Sequence, residues 1–339
     1  MTCDINKMGQ VLEPMRDYDV HAEEGNGLRC VSFLAMKWMQ LWTAELRLSP
    51  SLCLCSVAIL SALSACFASI QGWRQTQEDD HTVSCRVPGR SDLSLFAVFD
   101  GHGGSSASKF AAENLLRIFA DSLPEGALEP SVLSDHLRKA ILETDNALAD
   151  GQGRVRFLNE GCTAIISVIS RKHIVTANVG DSRAILVTLG GTKDAPKIRV
   201  DALSTDQKPA NEAEEARIRA ADMAVIDCNG IARVNGDLAV ARAIGDFAFK
   251  NPDLAQEKQA VTCDPEISVQ ERALDVAQIL CLACDGIWDV MSNDQVAQFI
   301  ATQLRSHGEI YTTVSICVSW IVPQAVGSPQ RHVLVALRD

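Results

Sequence analysis

Three short stretches of this chain end an apolar or polar run on carboxylates. Glu78 and Asp79 stand in GWRQTQEDDH, Asp100-Gly101 closes SLFAVFDG, and Asp285-Gly286 closes ILCLACDG. One acid after a strand is ordinarily a turn former. Three such places brought together would repel one another unless a cation sits among them. Their ligand atoms are all oxygen, without the Cys/His spacing of a zinc site, so the cation expected is hard, Mg²⁺ or Mn²⁺. A pair of such ions binds phosphoryl oxygens and turns a bridging water into hydroxide for in-line attack. His102, two residues beyond Asp100, is then placed to protonate a leaving alkoxide. Gly101 lets its carbonyl approach a metal, and Gly103 and Gly104 leave room for a bulky phosphorylated partner. Arg74, four residues before Glu78, carries a planar fork suited to gripping phosphate oxygens with two hydrogen bonds.

The elements that must hold these groups are legible in the apolar spacing. LSLFAVFD (93–100) reads as a buried strand, and ILCLACD (279–285) repeats its design. GSSASKFAAENLLRIFADSL (104–123) and PSVLSDHLRKAILETDNALAD (130–150) have helical spacing, the first with serine near its start as a cap. CTAIISVIS, HIVTANVG and RAILVTLGG read as three strands joined by the short links RK and DS, which predicts consecutive hairpins. Hairpins mean antiparallel sheet, so the fold class expected is α+β rather than doubly wound. A charged helix over 211–222, a helix at NDQVAQFIATQL and a last strand at HVLVALRD complete the pattern.

Composition narrows the function classes. The 339 residues carry a net charge of −12, which excludes sequence-independent nucleic-acid binding and suits a chain that concentrates divalent cations. The 12 cysteines are scattered, most of them in apolar runs, and read as reduced core residues. Cys281 and Cys284 form a C-x-x-C with no second pair or His cluster beside it, so it predicts no zinc or redox centre. Residues 48–72 are uncharged over a length that could cross a bilayer, but Ser and Cys dilute the run and its last third alternates like a strand. A membrane tether is the lesser reading; a monomeric cytoplasmic protein, with the nucleus as an alternative, is the expectation.

In order along the chain, GWRQTQEDDH, FAVFDGHGG, GCTAIISVI, ANVGDSRAIL, RVNGDLAVARAIGDFAFK and LACDGIWDVM resemble the blocks of the metal-dependent protein phosphatases of type 2C. The resemblance covers roughly residues 65–338. It implies a four-layer α-β-β-α sandwich, two antiparallel sheets flanked by helices. It also implies hydrolysis of phosphoserine and phosphothreonine in phosphoprotein substrates with two Mn²⁺ or Mg²⁺ ions. By position, Arg74 resembles the phosphate-gripping arginine, Glu78 a ligand of one metal and Asp79 its water-holding neighbour. Asp100 is similar to the carboxylate bridging both metals, with the Gly101 carbonyl beside it. His102 is similar to the general acid and Asp285 to a ligand of the other metal. Asp181 and Asp289 match acids linked to a weaker third metal, and 206–235 lies where the family has its substrate-side flap.

Two departures stand against this pattern. The family closes its metal site with an Asp in a G-S-x-D-N stretch, and here GSPQRHVLVAL puts Gln330 and Arg331 in the places of that Asp and Asn. Gln offers a neutral oxygen, so weakened metal binding is expected, and a pseudophosphatase that keeps the fold as a scaffold is the alternative reading. The second departure is upstream. The strand-like NGLRC (26–30) would lead almost directly into ACFASIQGWR (65–74) in the family, yet 31–64 intervenes. The organisation expected is therefore an N-terminal segment with a first strand (1–30), an apolar insertion (31–64) read as unspliced intron or a non-family segment, and a phosphatase domain (65–339) with a divergent C-terminal end.

Overall fold

The computed structural model describes residues 54–60, 63–71, 74–150, 153–191, 196–307 and 331–337. One sheet has six strands in the order β1 (Leu54–Leu60), β2 (Leu63–Ile70), β16 (Arg331–Leu337), β15 (Ala277–Ala283), β9 (Arg183–Gly191) and β10 (Pro196–Ala202). A second has five: β14 (Glu266–Glu271), β8 (His173–Val179), β7 (Ala164–Ile169), β4 (Ser94–Phe99) and β3 (Asp80–Ser84). Every neighbouring pair in both is antiparallel. Two smaller sheets are β13 (Ile244–Gly245), β6 (Gly161–Cys162) and β5 (Gly101–His102), and the hairpin β11 (Val225–Cys228) with β12 (Ile231–Val234). The helices are α1 (Ser106–Ser122), α2 (Pro130–Ala149), α3 (Gly153–Arg156), α4 (Glu212–Ala220), α5 (Asp285–Trp288) and α6 (Asn293–His307).

The packing makes four layers. Between the two large sheets lie Phe96, Val98 and Ile165 from one and Leu186, Leu280 and Leu282 from the other. On the outer face of the five-stranded sheet, Leu95, Ala97 and Phe99 meet Leu115 and Phe119 of α1 and Leu137 and Ile141 of α2. Opposite, Ile185, Ile279 and Cys281 meet Val296 and Ile300 of α6. This is the α+β sandwich expected. It explains why β4 is apolar on both sides: one face packs on the other sheet and the other on helices, so alternation is lost.

Of the two hairpins expected among the central strands, one forms. β7 and β8 pair through the RK link, with Ile169 opposite Ile174. β8 and β9 do not pair: β8 joins the five-stranded sheet and β9 the six-stranded one. The link GDS is a crossover between sheets, made at Gly180, whose φ of +108 suits glycine. It leaves Asp181 at the end of the sandwich, where a hairpin would have put it on a sheet edge.

Helix α1 also starts differently from expectation. Ser105 precedes it but makes no side-chain cap bond, its backbone (φ −104, ψ 1) lying outside the extended region that capping requires. Glu160 takes the role from a distant loop, its Oε1 accepting the backbone N–H groups of Ser106 and Ala107. The described part of the uncharged run, β1 and β2, is a sheet hairpin, and among the described residues no helix is long and apolar enough to cross a membrane. NGLRC and Gln330 lie outside the described residues.

Candidate active site

The ends of β4 and β15 and the crossover after β8 lie together at one end of the sandwich. β4 and β15 are central and buried, so each projects its terminal acid beyond a rigid edge. Ligand-capable atoms of Asp100, Cys284 and Asp285 lie within 4.8 Å of one another. Asp79, which precedes β3, joins them. It is buried, and neither carboxylate oxygen has a hydrogen-bond donor.

The electrostatics record this crowding. Burial pushes Asp79 up to about 7; the Asp100 side chain opposes this, Asp285 adds repulsion, and Cys284 and Arg74 pull modestly the other way. Asp181 also rises to about 7, through burial and then Asp285, with Lys208 opposing. Asp100 stands well above the usual carboxylate range, from enclosure by protein and then from Asp79 and Asp285. Asp285 is raised too, first by burial and then by Asp289. Four acids held above their ordinary values around one point have a large unmet demand for positive charge. The donor set is mainly carboxylate oxygen with orphaned buried lone pairs, which fits hard divalent cations.

The other expected residues fall around this centre. Glu78 is partly buried, accepts from Thr76 Oγ1 at 3.2 Å and lies near enough to His102 to favour its charged form. Arg74 is exposed and close enough to Asp79 and Asp285 to favour their ionised forms. Lys208 Nζ lies 3.9 Å from both Asp181 Oδ2 and Asp289 Oδ1, joining the two acids as an internal cation. Gln330 lies outside the described residues.

The glycines need a correction. A Cβ at Gly103 would overlap the Asn159 carbonyl, and one at Gly104 the Glu160 carboxylate, so the 159–160 loop occupies the space expected for substrate. Gly101 is required by the Glu78 carbonyl, which a Cβ there would strike. The glycines bring β3, β5 and the capping loop into contact; they do not serve as substrate clearance.

Sequence reasoning passed over three residues. Asp246, after β13, accepts from His102 Nε2–H at 2.6 Å and is buried. Enclosure lowers the His102 pKa, but Asp246, Asp181 and Glu78 outweigh it and the net shift is upward. The signal available was the Gly-Asp ending of ARAIGD, a further instance of an apolar run ending on an acid. Lys208 gave no signal, being an exposed lysine in a loop. Cys284 was read as a core thiol; it is buried, yet its sulfur faces the acids. Cys85, Cys162, Cys228, Cys263, Cys281 and Cys284 are free, and burial pushes Cys281 up to about 12, as befits an inert core thiol.

The molecule is thus a helix-flanked double sheet with an acid-lined end. Residues 64–319 match the sequence model of the family described as protein phosphatase 2C. The chain is 39% identical over 259 residues to protein phosphatase 2C homolog 2 of Aspergillus flavus, covering 72% of this chain and 55% of that protein. It is 38% identical over 237 residues to protein phosphatase 2C homolog 3 of Schizosaccharomyces pombe, covering 69% and 53%. The crystal structure of a serine-threonine phosphatase 2C from Toxoplasma gondii superposes with a TM-score of 0.72 at 20% identity, over 86% of this chain and 100% of that one, a likeness of fold. The chain belongs to the protein phosphatase 2C family. It spans about half the length of the curated relatives it matches.

Proposed function

We propose that the chain is a protein phosphatase that removes phosphate from phosphoserine and phosphothreonine side chains with the help of two Mn²⁺ or Mg²⁺ ions. The observation that carries this reading is the convergence of Asp79, Asp100 and Asp285, all raised, with both Asp79 oxygens unpaired. Glu78, Asp100, the Gly101 carbonyl and Asp285 would hold the two cations, and Asp181 with Asp289 a weaker third. When bound, the ions neutralise phosphoryl charge and acidify water for attack on phosphorus.

The chain's own residues do the rest. Arg74 stands exposed beside the acids and directs two donors at the phosphate oxygens, fixing the group in line. Asp79, deprotonated once cations are present, orients water through hydrogen bonds. His102 holds a proton for the departing seryl or threonyl oxygen. The segment 206–235, with α4 and the β11–β12 hairpin, borders the substrate side.

The test is hydrolysis of a phosphothreonine peptide across a Mn²⁺ and Mg²⁺ titration, with Asp100→Asn beside the wild type. Activity should require added metal, and Asp100→Asn should be inactive. Hydrolysis by the wild type that persists in excess chelator would refute the reading.

A further inference from the structure

The His102–Asp246 pair has no part in holding cations, and its construction is costly. Asp246 is 1% exposed and left-handed at φ 51, ψ 45. A non-glycine residue in that region is uncommon and is held there by its surroundings. They do so here. The Asp246 N–H donates to the Glu160 carbonyl at 3.1 Å, and the Phe249 N–H donates to the Asp246 carbonyl at 3.0 Å. One residue earlier, the Gly245 N–H donates to Asp145 Oδ1 at 2.8 Å. The same oxygen takes the Lys250 ammonium at 2.7 Å, so α2 clamps the loop on both sides of Asp246. Gly161 closes the slot: any Cβ there would overlap the Asp246 carboxylate. The carboxylate is thus fixed in place, with the imidazole of His102 as its hydrogen-bonded partner.

We propose that Asp246 is a positioning residue for the hydrolysis: by accepting from Nε2–H it fixes the plane and tautomer of His102, leaving Nδ1 as the nitrogen that hands its proton to the leaving oxygen. The proposal rests on the phosphatase reading above. The step balances. As the phosphorus–oxygen bond to the side chain breaks and that to the water oxygen forms, the Nδ1 proton passes to the departing oxygen and completes an alcohol. The imidazole is left neutral, with Nε2–H still donated to Asp246. Of the two protons of the attacking water, one stays on the phosphate and the other returns through solvent to Nδ1.

A group that acts through the proton donor matters only where the leaving oxygen needs a proton. Asp246→Asn, His102→Ala and the double variant should be compared on a phosphothreonine peptide and on p-nitrophenyl phosphate, whose leaving group departs without one. Asp246→Asn is expected to lower kcat on the peptide about 100-fold with KM little changed. On the aryl phosphate it should change kcat less than about threefold, and the double variant should be no slower than His102→Ala. Equal losses on both substrates, no loss on either, or additive losses in the double variant would overturn the proposal. Should Asp246→Asn fail to fold, ¹⁵N NMR of the wild-type histidines reads the tautomer directly. Neutral His102 carrying its proton on Nε2 supports the proposal, and a proton on Nδ1 overturns it. A wild type inactive on both substrates at every metal concentration sinks the phosphatase reading, while the NMR result still judges the pairing.

Discussion

The Lys250 ammonium is buried against the Asp145 carboxylate at 2.7 Å, tying the loop after β13 to helix α2. Both side chains are almost wholly enclosed, and Lys250 also donates to the Ala243 carbonyl at 2.9 Å and lies over the Phe247 ring. Removing one member of such a pair leaves the other charge uncompensated. Lys250→Met should therefore destabilise the fold by about 3–5 kcal/mol. Urea unfolding measures it, and the double replacement Asp145→Leu with Lys250→Met should recover much of the loss.

Stability without metal should fall as pH rises. Asp79 and Asp181 each titrate near 7 in the folded protein against 3.8 for the ordinary side chain. The folded state therefore binds more protons than the unfolded one across that interval. Their contribution is fully present below about pH 4 and is lost by about pH 7. Thermal melting in excess chelator from pH 5 to pH 8 should show Tm falling. Saturating Mn²⁺ should flatten or reverse the trend, because it favours the ionised acids.

Lys208 bridges Asp181 and Asp289 while keeping 48% of its side chain exposed. On the proposed function it would compete with a metal cation for the same two acids. Lys208→Met should tighten the weakest Mn²⁺ site about 2- to 5-fold, a modest change since the pair is partly solvated. Calorimetric titration would detect it, and unchanged affinity would show that the ammonium and the cation do not compete.

On the alignment expected from GSPQRHVLVAL, Gln330 would supply no negative charge where the family pattern has an Asp. Gln330→Asp should lower the Mn²⁺ concentration needed for half-maximal peptide hydrolysis by about tenfold or more. The comparison is made in the full chain at fixed ionic strength.

Residues 31–64 are proposed to be inserted sequence. Strand β1, within them, is an edge strand whose sheet partner is β2; the deletion also takes Leu63 and Ser64 from β2 but leaves Ala65–Ile70 paired with β16. A chain lacking 31–64 should fold with undiminished Tm. Sequencing the transcript across Cys30 and Ala65 checks the origin, and finding the stretch in every mature message would remove the intron explanation.

What the residues alone determined was local. Apolar runs and helical spacing located β4, β7, β15, α1 and α2, because period and length are properties of neighbouring residues. The acids at strand ends were legible for the same reason, and ordered blocks carried the family. Tertiary structure alone decided that β8 and β9 part into different sheets, since a two-residue link serves a hairpin or a crossover equally well. It also chose Glu160 over serine as the cap of α1, and set Asp246 against His102 across 144 positions of chain. The raised values of Asp79 and Asp181 belong to this second class. A carboxylate's proton affinity depends on burial and on charges through space, and neither is written in the residues beside it.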